Sequence, residues 1–505
     1  MLQCKQKRAD SDGEKVTTFV YLPPLKRPMR IIIFLFCIAL LNAGNFSFSQ
    51  EKPWSLQQCI EYALQHNIQV KQNMLNAKLS QATLLQNKAQ ILPNLSGSIS
   101  NSYNNGKKVD PFTNTFVTGD WTQSQNFSLS ASVTLFGGFQ TLNSIKQSKY
   151  DLLASQQDVL KMQNDISLNI ASAYLQILFA QELLATAQSQ SDITKLQVER
   201  TKKLVDVGNL PKGNLFDIQA QMASEDVSVV NAENNLSLSS LNLVQMLNLD
   251  TVQNFSIARP EISMPSEVML NTTSSQIYES ALTRQPEIKG AEFKLRSSEK
   301  GISIARAGMY PRLSLSASYG SGFSGASKDY GLPTLNGYIP NGNITSAGDT
   351  VYEPNLVYDQ NPPIIPFKTQ MDNNLNRSVG FYLTVPLFSN LQTYTAVTRA
   401  KINRENSALT LQLQKDNLRK TIQQAYNDAF ASLKKYQASK KAVDAMAESF
   451  KYMEQKYNVG AVTTTEYNDS KNKLTKAKSD LLQSKYDYVF KLKVLDFYQG
   501  KPITL

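Results

Sequence analysis

Residues 126–136, NFSLSASVTLF, alternate without a break. Phe127, Leu129, Ala131, Val133 and Leu135 are apolar, and Ser128, Ser130, Ser132 and Thr134 between them are small and polar. As a strand, this period of two gives one greasy face and one hydroxyl-lined face. Alone, the run fits a half-buried strand of a soluble sandwich. It recurs, however, at Leu95–Tyr103, at Leu313–Tyr319 and at Val379–Leu387, where Val379, Phe381, Leu383, Val385 and Leu387 share a face. Each run is close to the ~9–11 residues that a membrane-crossing strand needs.

The rest of the chain has a different period. No Gly or Pro interrupts Gln140–Val207 or Leu391–Val459, and good helix formers fill both. At 1.5 Å per residue each predicts a helix of about 100 Å. Leu168, Ala171, Leu175, Leu178 and Leu183 mark the buried stripe of the first, and Ala425, Ala429, Leu433 and Tyr436 that of the second. Each run ends at Val-Gly (Val207-Gly208 and Val459-Gly460), where glycine suits a left-handed C-cap. Further helices are predicted over Leu215–Leu247 and Thr465–Phe497, so the turns make antiparallel hairpins. A structural coiled-coil rod would carry the same helices.

The chain is written twice. Pro93-Asn94-Leu95-Ser96 matches Pro311-Arg312-Leu313-Ser314, 218 residues on, and Glu61, Ala63, Leu64 and Lys71 match Glu279, Ala281, Leu282 and Lys289. Ser55 with Gln58 and Thr273 with Gln276 are capping boxes at the same offset. Farther on the offset becomes 252: Leu135-Phe136 matches Leu387-Phe388, Ala173-Tyr174 matches Ala425-Tyr426, and Asp217 matches Asp469. The 34 extra residues fall in 321–377, a Gly-, Asn-, Pro- and Tyr-rich stretch expected to be a long surface loop. Each half reads as helix, strand, loop, strand, very long helix, turn, helix. The expected divisions are a leader at 1–49, a first repeat at 50–252, an inter-repeat segment at 253–274, a second repeat at 275–498 and a tail at 499–505.

The leader holds Arg27 and Arg30 before the apolar run Ile31–Leu41, too short to span a bilayer but right for a signal-peptide core. Ser47-Phe48-Ser49 offers a cleavage site, and Met29 is the expected true start. The remainder has no apolar run of around 18 residues, so no membrane-spanning helix is expected. Of Cys4, Cys37 and Cys59 only Cys59 lies beyond the leader, which excludes an intrachain disulfide in the mature chain. The net charge of +11 is spread among both signs, with no basic block beside stacking aromatics, which argues against nucleic acid. The chain has one His, His66, and neither a metal-ligand cluster, a phosphate loop nor a Ser-His-Asp set. No enzyme, metal or cofactor is therefore expected.

Four strands cannot close a barrel, and an open edge in hydrocarbon leaves backbone groups unsatisfied at several kcal/mol each. If these strands span a membrane, several chains share one barrel: two give eight strands, three give twelve. Pro93-x-Leu95 and Pro311-x-Leu313 entering strands, Pro386-Leu387-Phe388 leaving the fourth, and Val-Gly at both tips complete a duplicated order that resembles the TolC family of outer-membrane efflux channels. The resemblance implies an α+β membrane protein. Its homotrimer would form a twelve-stranded β-barrel, four strands per chain, in the outer membrane of a Gram-negative bacterium, continuing into a long periplasmic α-helical barrel. It implies passive exit for substrates delivered by a periplasmic adaptor (membrane fusion) protein and an inner-membrane pump of resistance-nodulation-division or ABC type. The exit duct of a type I protein secretion system is the alternative, and a secreted coiled-coil rod without a pore is the remaining one.

Site residues follow. Ser128, Ser130, Ser132 and Thr384 are expected to line water, while Phe127, Leu129 and Phe381 face lipid. The tips, Val207, Gly208, Asn209, Leu210, Val459, Gly460, Ala461 and Val462, are the expected adaptor-docking residues, with Pro211 starting the next helix. In the resembled family, acidic residues six and nine positions past the second tip glycine narrow the entrance, which implies a periplasmic gate at Glu466 and Asp469. Three apart, they share a helix face. Threefold symmetry would gather six carboxylates and raise their pKa values. The first half has Asn214 and Asp217 at these offsets, an incomplete pair.

Overall fold

The computed structural model describes residues 53–119, 121–250, 255–260 and 272–504. The leader with its Met29 start and most of the inter-repeat segment lie outside the described residues.

The chain begins with α1 (Leu56–His66) and α2 (Ile68–Ala89). Ser55 and Gln58 make the expected reciprocal cap. One helix was expected here, but Asn67 divides it. Its backbone is extended (φ −61°, ψ 130°), and its side chain accepts from the Gln69 and Val70 N–H groups to start α2. Then come β1 (Asn94–Asn104), the short β2 (Lys108–Val109) and β3 (Phe116–Val117), and β4 (Thr122–Gly137). The hairpin of α3 (Gln140–Asp206) and α4 (Lys212–Leu247) follows.

The second half repeats the order: α5 (Ser274–Arg284), capped by Thr273 and Gln276, α6 (Pro286–Ala307), β5 (Arg312–Ser324), β6 (Thr334–Ile344), β7 (Thr350–Val357), α7 (Phe367–Asn373), β8 (Asn376–Thr384), α8 (Gln392–Asn458) and α9 (Thr464–Tyr498). Here Pro286, which lacks an N–H, takes the first helical position after the break at Gln285. The long helices α3 and α8 have 67 residues each, and α4 and α9 have 36 and 35.

The four long strands form one antiparallel sheet in the order β1-β4-β5-β8, open at β1 and β8. Several strand limits differ from expectation, β4 starting at Thr122 rather than Asn126 and β8 at Asn376 rather than Val379. β5 runs on to Ser324, and β8 stops at Thr384 rather than Leu387, because Pro386 cannot donate to a ladder. The stretch 321–377 is not an irregular loop. It holds the β6–β7 hairpin and α7, which Gln370 ties down by donating to the Ser324 carbonyl at 3.1 Å and accepting from the Ser324 N–H at 2.8 Å.

The helical cores are paired as well. Under α1 lie Cys59, Ile60 and Ala63 against Ile170, Tyr174, Leu178 and Leu247. Under α5 lie Ile277 and Ala281 against Leu418, Ile422, Ala425 and Ala429. The expected stripes are therefore buried at Ala171, Leu175 and Leu178, and at Ala425, Ala429 and Leu433. Among the described residues α3 is long and apolar enough to cross a membrane by length and composition, and part of its apolar centre packs in this core. Beside it Trp54 pairs with Ile257, and the Tyr174 hydroxyl reaches the Ala258 and Trp54 carbonyls at 2.7 and 3.1 Å. Ile503 of the tail packs on the same cluster.

Candidate functional site

The sheet separates its side chains by chemistry. Cross-strand partners share a face, and the register aligns Ser96, Ser130, Ser318 and Ser378 in one row across four strands. Within it the Ser96–Ser130 hydroxyls are 2.9 Å apart and the Ser318–Ser378 hydroxyls 2.7 Å. Ser128 meets Ser98 at 2.7 Å on the same face, Ser132 faces Ser316, and Thr384 ends that face of β8. The next row, on the opposite face, reads Leu95, Ala131, Ala317 and Val379, and Val133, Leu315 and Phe381 follow it. Leu129 and Phe127 belong to this apolar face. Many of its side chains stand exposed on the single chain, Leu95 at 65 % and Phe381 at 69 %.

At the other end of the long helices both tips close by one hydrogen-bond pattern. Gly208 N–H donates to the Val205 carbonyl (3.0 Å) and Asn209 N–H to that of Leu204 (2.8 Å); Gly460 and Ala461 donate to Tyr457 (3.1 Å) and Lys456 (2.9 Å). This is the Schellman arrangement, which needs a left-handed residue. Gly208 and Gly460 supply it at φ 78° and 75°, and a Cβ at either would meet nothing within 4 Å, so the requirement is conformational rather than steric. Pro211 is the N-cap of α4 rather than its first residue, and the helix starts at Lys212, ahead of the Leu215 of the predicted range.

The tip residues divide into two sets. Val207 and Val459 are 69 and 80 % exposed. Leu210 and Val462 instead turn partly inward, toward a cavity of about 690 Å³ between the two tips that Asn214, Asp217, Gly460 and Glu466 also line. Glu466 thus shares this lining with its first-half counterpart Asn214 and with Asp217. Asp469 is not part of this lining.

Neither carboxylate of the expected gate is free within one chain. Glu466 accepts from the Thr463 N–H (2.8 Å) and hydroxyl (2.9 Å), while its own N–H donates to Thr463 Oγ1, a capping box that starts α9. Those bonds, the backbone one first, hold the Glu466 carboxyl below its ordinary 4.5, opposite in direction to the rise expected from crowding. Asp469 pairs with Lys473 at 2.6 Å, one turn on, both exposed. Such a pair stabilises by about 0–1 kcal/mol.

One constellation escaped the sequence reading. Thr194 on α3, Glu225 on α4 and Lys471 on α9 are all buried, with Lys471 Nζ 3.2 Å from Glu225 Oε1 and the Thr194 hydroxyl bonded to both partners. Burial lowers the Lys471 pKa, and the Glu225 charge opposes that shift. A signal was available: Lys471 interrupts the stripe Tyr467, Leu474, and Glu225 sits midway between Ile218 and Ala232. His66 stacks on the Tyr62 ring at 4.0 Å, a packing contact. Among the described residues no group of three His, Cys, Asp or Glu is placed to hold a metal ion.

Comparison with known proteins bears on this arrangement. The sequence pattern described as "Outer membrane efflux protein" matches residues 59–249 and 277–500. Outer membrane protein TolC of Escherichia coli (strain K12) is 23 % identical over 462 residues, spanning 90 % of this chain and 83 % of that one. The alkaline protease secretion protein AprF of Pseudomonas aeruginosa is 21 % identical, spanning 79 % of this chain and 75 % of that one. Among solved structures, the outer membrane protein VceC of Vibrio cholerae superposes with a TM-score of 0.69 at 17 % identity, over 89 % of this chain and 96 % of that one.

Proposed function

Because this chain belongs to the outer membrane efflux protein family, we propose that it is the outer membrane channel of a tripartite efflux or export system, giving passive exit to substrates handed over by an inner-membrane pump and a periplasmic adaptor. The family is one of channels rather than enzymes, and its place is the outer membrane of Gram-negative bacteria, with a helical tunnel in the periplasm.

One observation carries the reading: a four-stranded sheet, two-faced and open at both edges, continues into helices of 67 residues. In hydrocarbon both edges must pair, which three copies achieve as twelve strands with the serine rows turned to a wet lumen. The equal lengths of α3 and α8 support an internal duplication, by which three chains would supply six repeats of two strands each to the barrel. Ser128, Ser130, Ser132 and Thr384 then line water, and the exposed Val207 and Val459, with Gly208, Asn209, Gly460 and Ala461, meet the adaptor. Leu210 and Val462 shape the cleft behind them. Glu466 and Asp469 ring the entrance, held by Thr463 and Lys473 until opposite copies approach.

Protein secretion is the second reading, favoured by the likeness to AprF, whose name assigns it to alkaline protease secretion. Purification of the protein cross-linked in cells decides between them: a resistance-nodulation-division pump beside the adaptor, or an ABC pump without protein cargo, supports efflux, and an ABC exporter that carries a protein cargo supports secretion. Recovery from the periplasm as a soluble monomer with unchanged gel migration on heating would reject the channel itself.

A further inference from the structure

Where the strands become helices, the chain carries cations and no acids. Residues 80–94, 140–150, 300–312 and 391–402, which flank the helical end of the sheet, hold eight Lys and Arg and no Asp or Glu. Two of these positions recur in both repeats: Lys88 matches Arg306 at the offset of 218, and Lys149 matches Lys401 at 252. Lys146 adds a fifth beside Lys149. All five are exposed, and among the described residues none of them enters an ion pair.

Packing brings the five to one level. The Ser80 and Ser155 hydroxyls meet at 2.8 Å, so on the antiparallel α2 and α3 Lys88 stands level with Gln147, between Lys146 and Lys149. A Cβ on Gly138 would come 2.9 Å from the Ala307 carbonyl, which sets Arg306 beside the start of α3. Arg404 meets Glu299 at 3.8 Å, which sets Lys401 level with Ile302, one turn from Arg306. All five therefore lie within about 15 Å of the first helical residues.

They also share a face. Lys88 follows Val70, and Arg306 follows Ile288, by 18 residues, or five helical turns. Lys149 precedes Tyr174, and Lys401 precedes Tyr426, by 25 residues, or about seven turns. Val70 and Tyr174 lie in the core under α1, and Ile288 and Tyr426 in the core under α5, so the cations stand on the face that these short helices cover farther down. The apolar face of the sheet leads to the same place. Phe136, opposite Leu313, meets the Phe139 ring at 5.5 Å, and the exposed Leu142 and Tyr394 stand two turns above Lys149 and Lys401. The hydroxyl face leads elsewhere: Arg312 donates to Thr134 Oγ1 at 3.1 Å, and Arg399 lies about 160° around α8 from Lys401.

Along one face the surface thus passes from apolar strand to aromatic boundary to unpaired cation, the order that hydrocarbon, interface and charged headgroup require. We propose that Lys88, Lys146, Lys149, Arg306 and Lys401 form a collar that binds the headgroups of anionic phospholipids in the leaflet nearer the helices, fixing the depth of the barrel. The collar rests on the sheet lying in a bilayer, as the channel reading has it, and not on conduction or on the adaptor.

Electron spin resonance on the purified full-length protein in phosphatidylcholine vesicles tests this, comparing spin-labelled phosphatidylglycerol with spin-labelled phosphatidylcholine in the motionally restricted shell around the barrel. At physiological salt the anionic lipid should be enriched in that shell at least about twofold, and the enrichment should vanish at ~1 M salt, where screening shortens to about 3 Å. The variant Lys88→Gln/Lys146→Gln/Lys149→Gln/Arg306→Gln/Lys401→Gln should bring the ratio to about one. Arg312→Gln/Arg399→Gln, which removes charge from the other face, should leave it unchanged. Equal association of the two lipids with the unsubstituted protein, or enrichment that survives the five substitutions, would overturn the collar. Where the fivefold variant fails to assemble, enrichment that persists at high salt does so. A protein with the expected enrichment that passes no ions across bilayers would keep the collar and lose the channel.

Discussion

Arginine placed at Ala131 and at Ser130, adjacent residues of β4, separates the two faces of the sheet. Ala131 lies in the row Leu95, Ala131, Ala317, Val379, which has no polar side chain to receive a charge. The row crosses all four strands, and there a lipid-facing Arg costs about 2–4 kcal/mol per chain near the midplane. That is a ~30- to ~900-fold shift in the folded-to-unfolded ratio for each chain. Ser130 lies in the serine row, where Arg removes the 2.9 Å bond to Ser96, a loss of about 1 kcal/mol at a site that stays hydrated. The predicted gap is thus about 1–3 kcal/mol per chain in favour of Ser130→Arg, multiplied in an assembly that shares one barrel. Urea unfolding in liposomes, read by loss of the heat-modifiable gel species, measures it, with Ala131→Leu as the control for size. Equal destabilisation by the two arginines, or greater loss from Ser130→Arg, would refute the assignment of faces.

Charge at the exposed tip valines, Val207→Glu with Val459→Glu, should abolish export while the amount in the outer membrane stays normal; export at the unsubstituted level would remove the tips from adaptor docking. The Glu466 cap should be pH-dependent. Its folded carboxyl lies below 4.5, so its contribution is complete above 4.5 and is lost as pH falls through the folded value. Hydrogen exchange in the first turn of α9 should accelerate there, and should not do so in Glu466→Gln, whose amide oxygen still accepts but does not titrate. Cys59 is fully buried and its thiol is pushed up to about 12 by that burial. It should resist maleimide at neutral pH until denaturant is added; labelling of the native protein would contradict the packing of α1.

Much of this fold was legible because its elements announce themselves by period. The helices α3 and α8 were bounded to within a residue or two, since a run without Gly or Pro ends where Val-Gly provides the Schellman turn. The sheet was legible from alternation, yet β8 was overextended, because Val385 and Leu387 keep the alternation on either side of Pro386, past the end of the ladder at Thr384. The division at Asn67 was hidden: Asn is tolerated within helices, and only its extended backbone shows that it caps the next one. The β6–β7 hairpin was hidden for the opposite reason, its Gly, Asn and Pro content resembling loop while its bulges break the alternation. The tip glycines were found from sequence. The inward turn of Leu210 and Val462 was not, because it depends on the two hairpins lying side by side. Lys471 and Glu225 do not stand out among the other helix charges, although their place within apolar stripes marks them as buried partners.

Planar-bilayer recording of the purified protein tests the central claim most directly. The account predicts discrete, long-lived conductance steps, a selectivity that shifts toward anions in Ser130→Arg, and an unshifted selectivity in whatever fraction of Ala131→Arg still inserts. A folded, outer-membrane-inserted protein that gives no steps, or one whose selectivity follows Ala131→Arg and ignores Ser130→Arg, would contradict it.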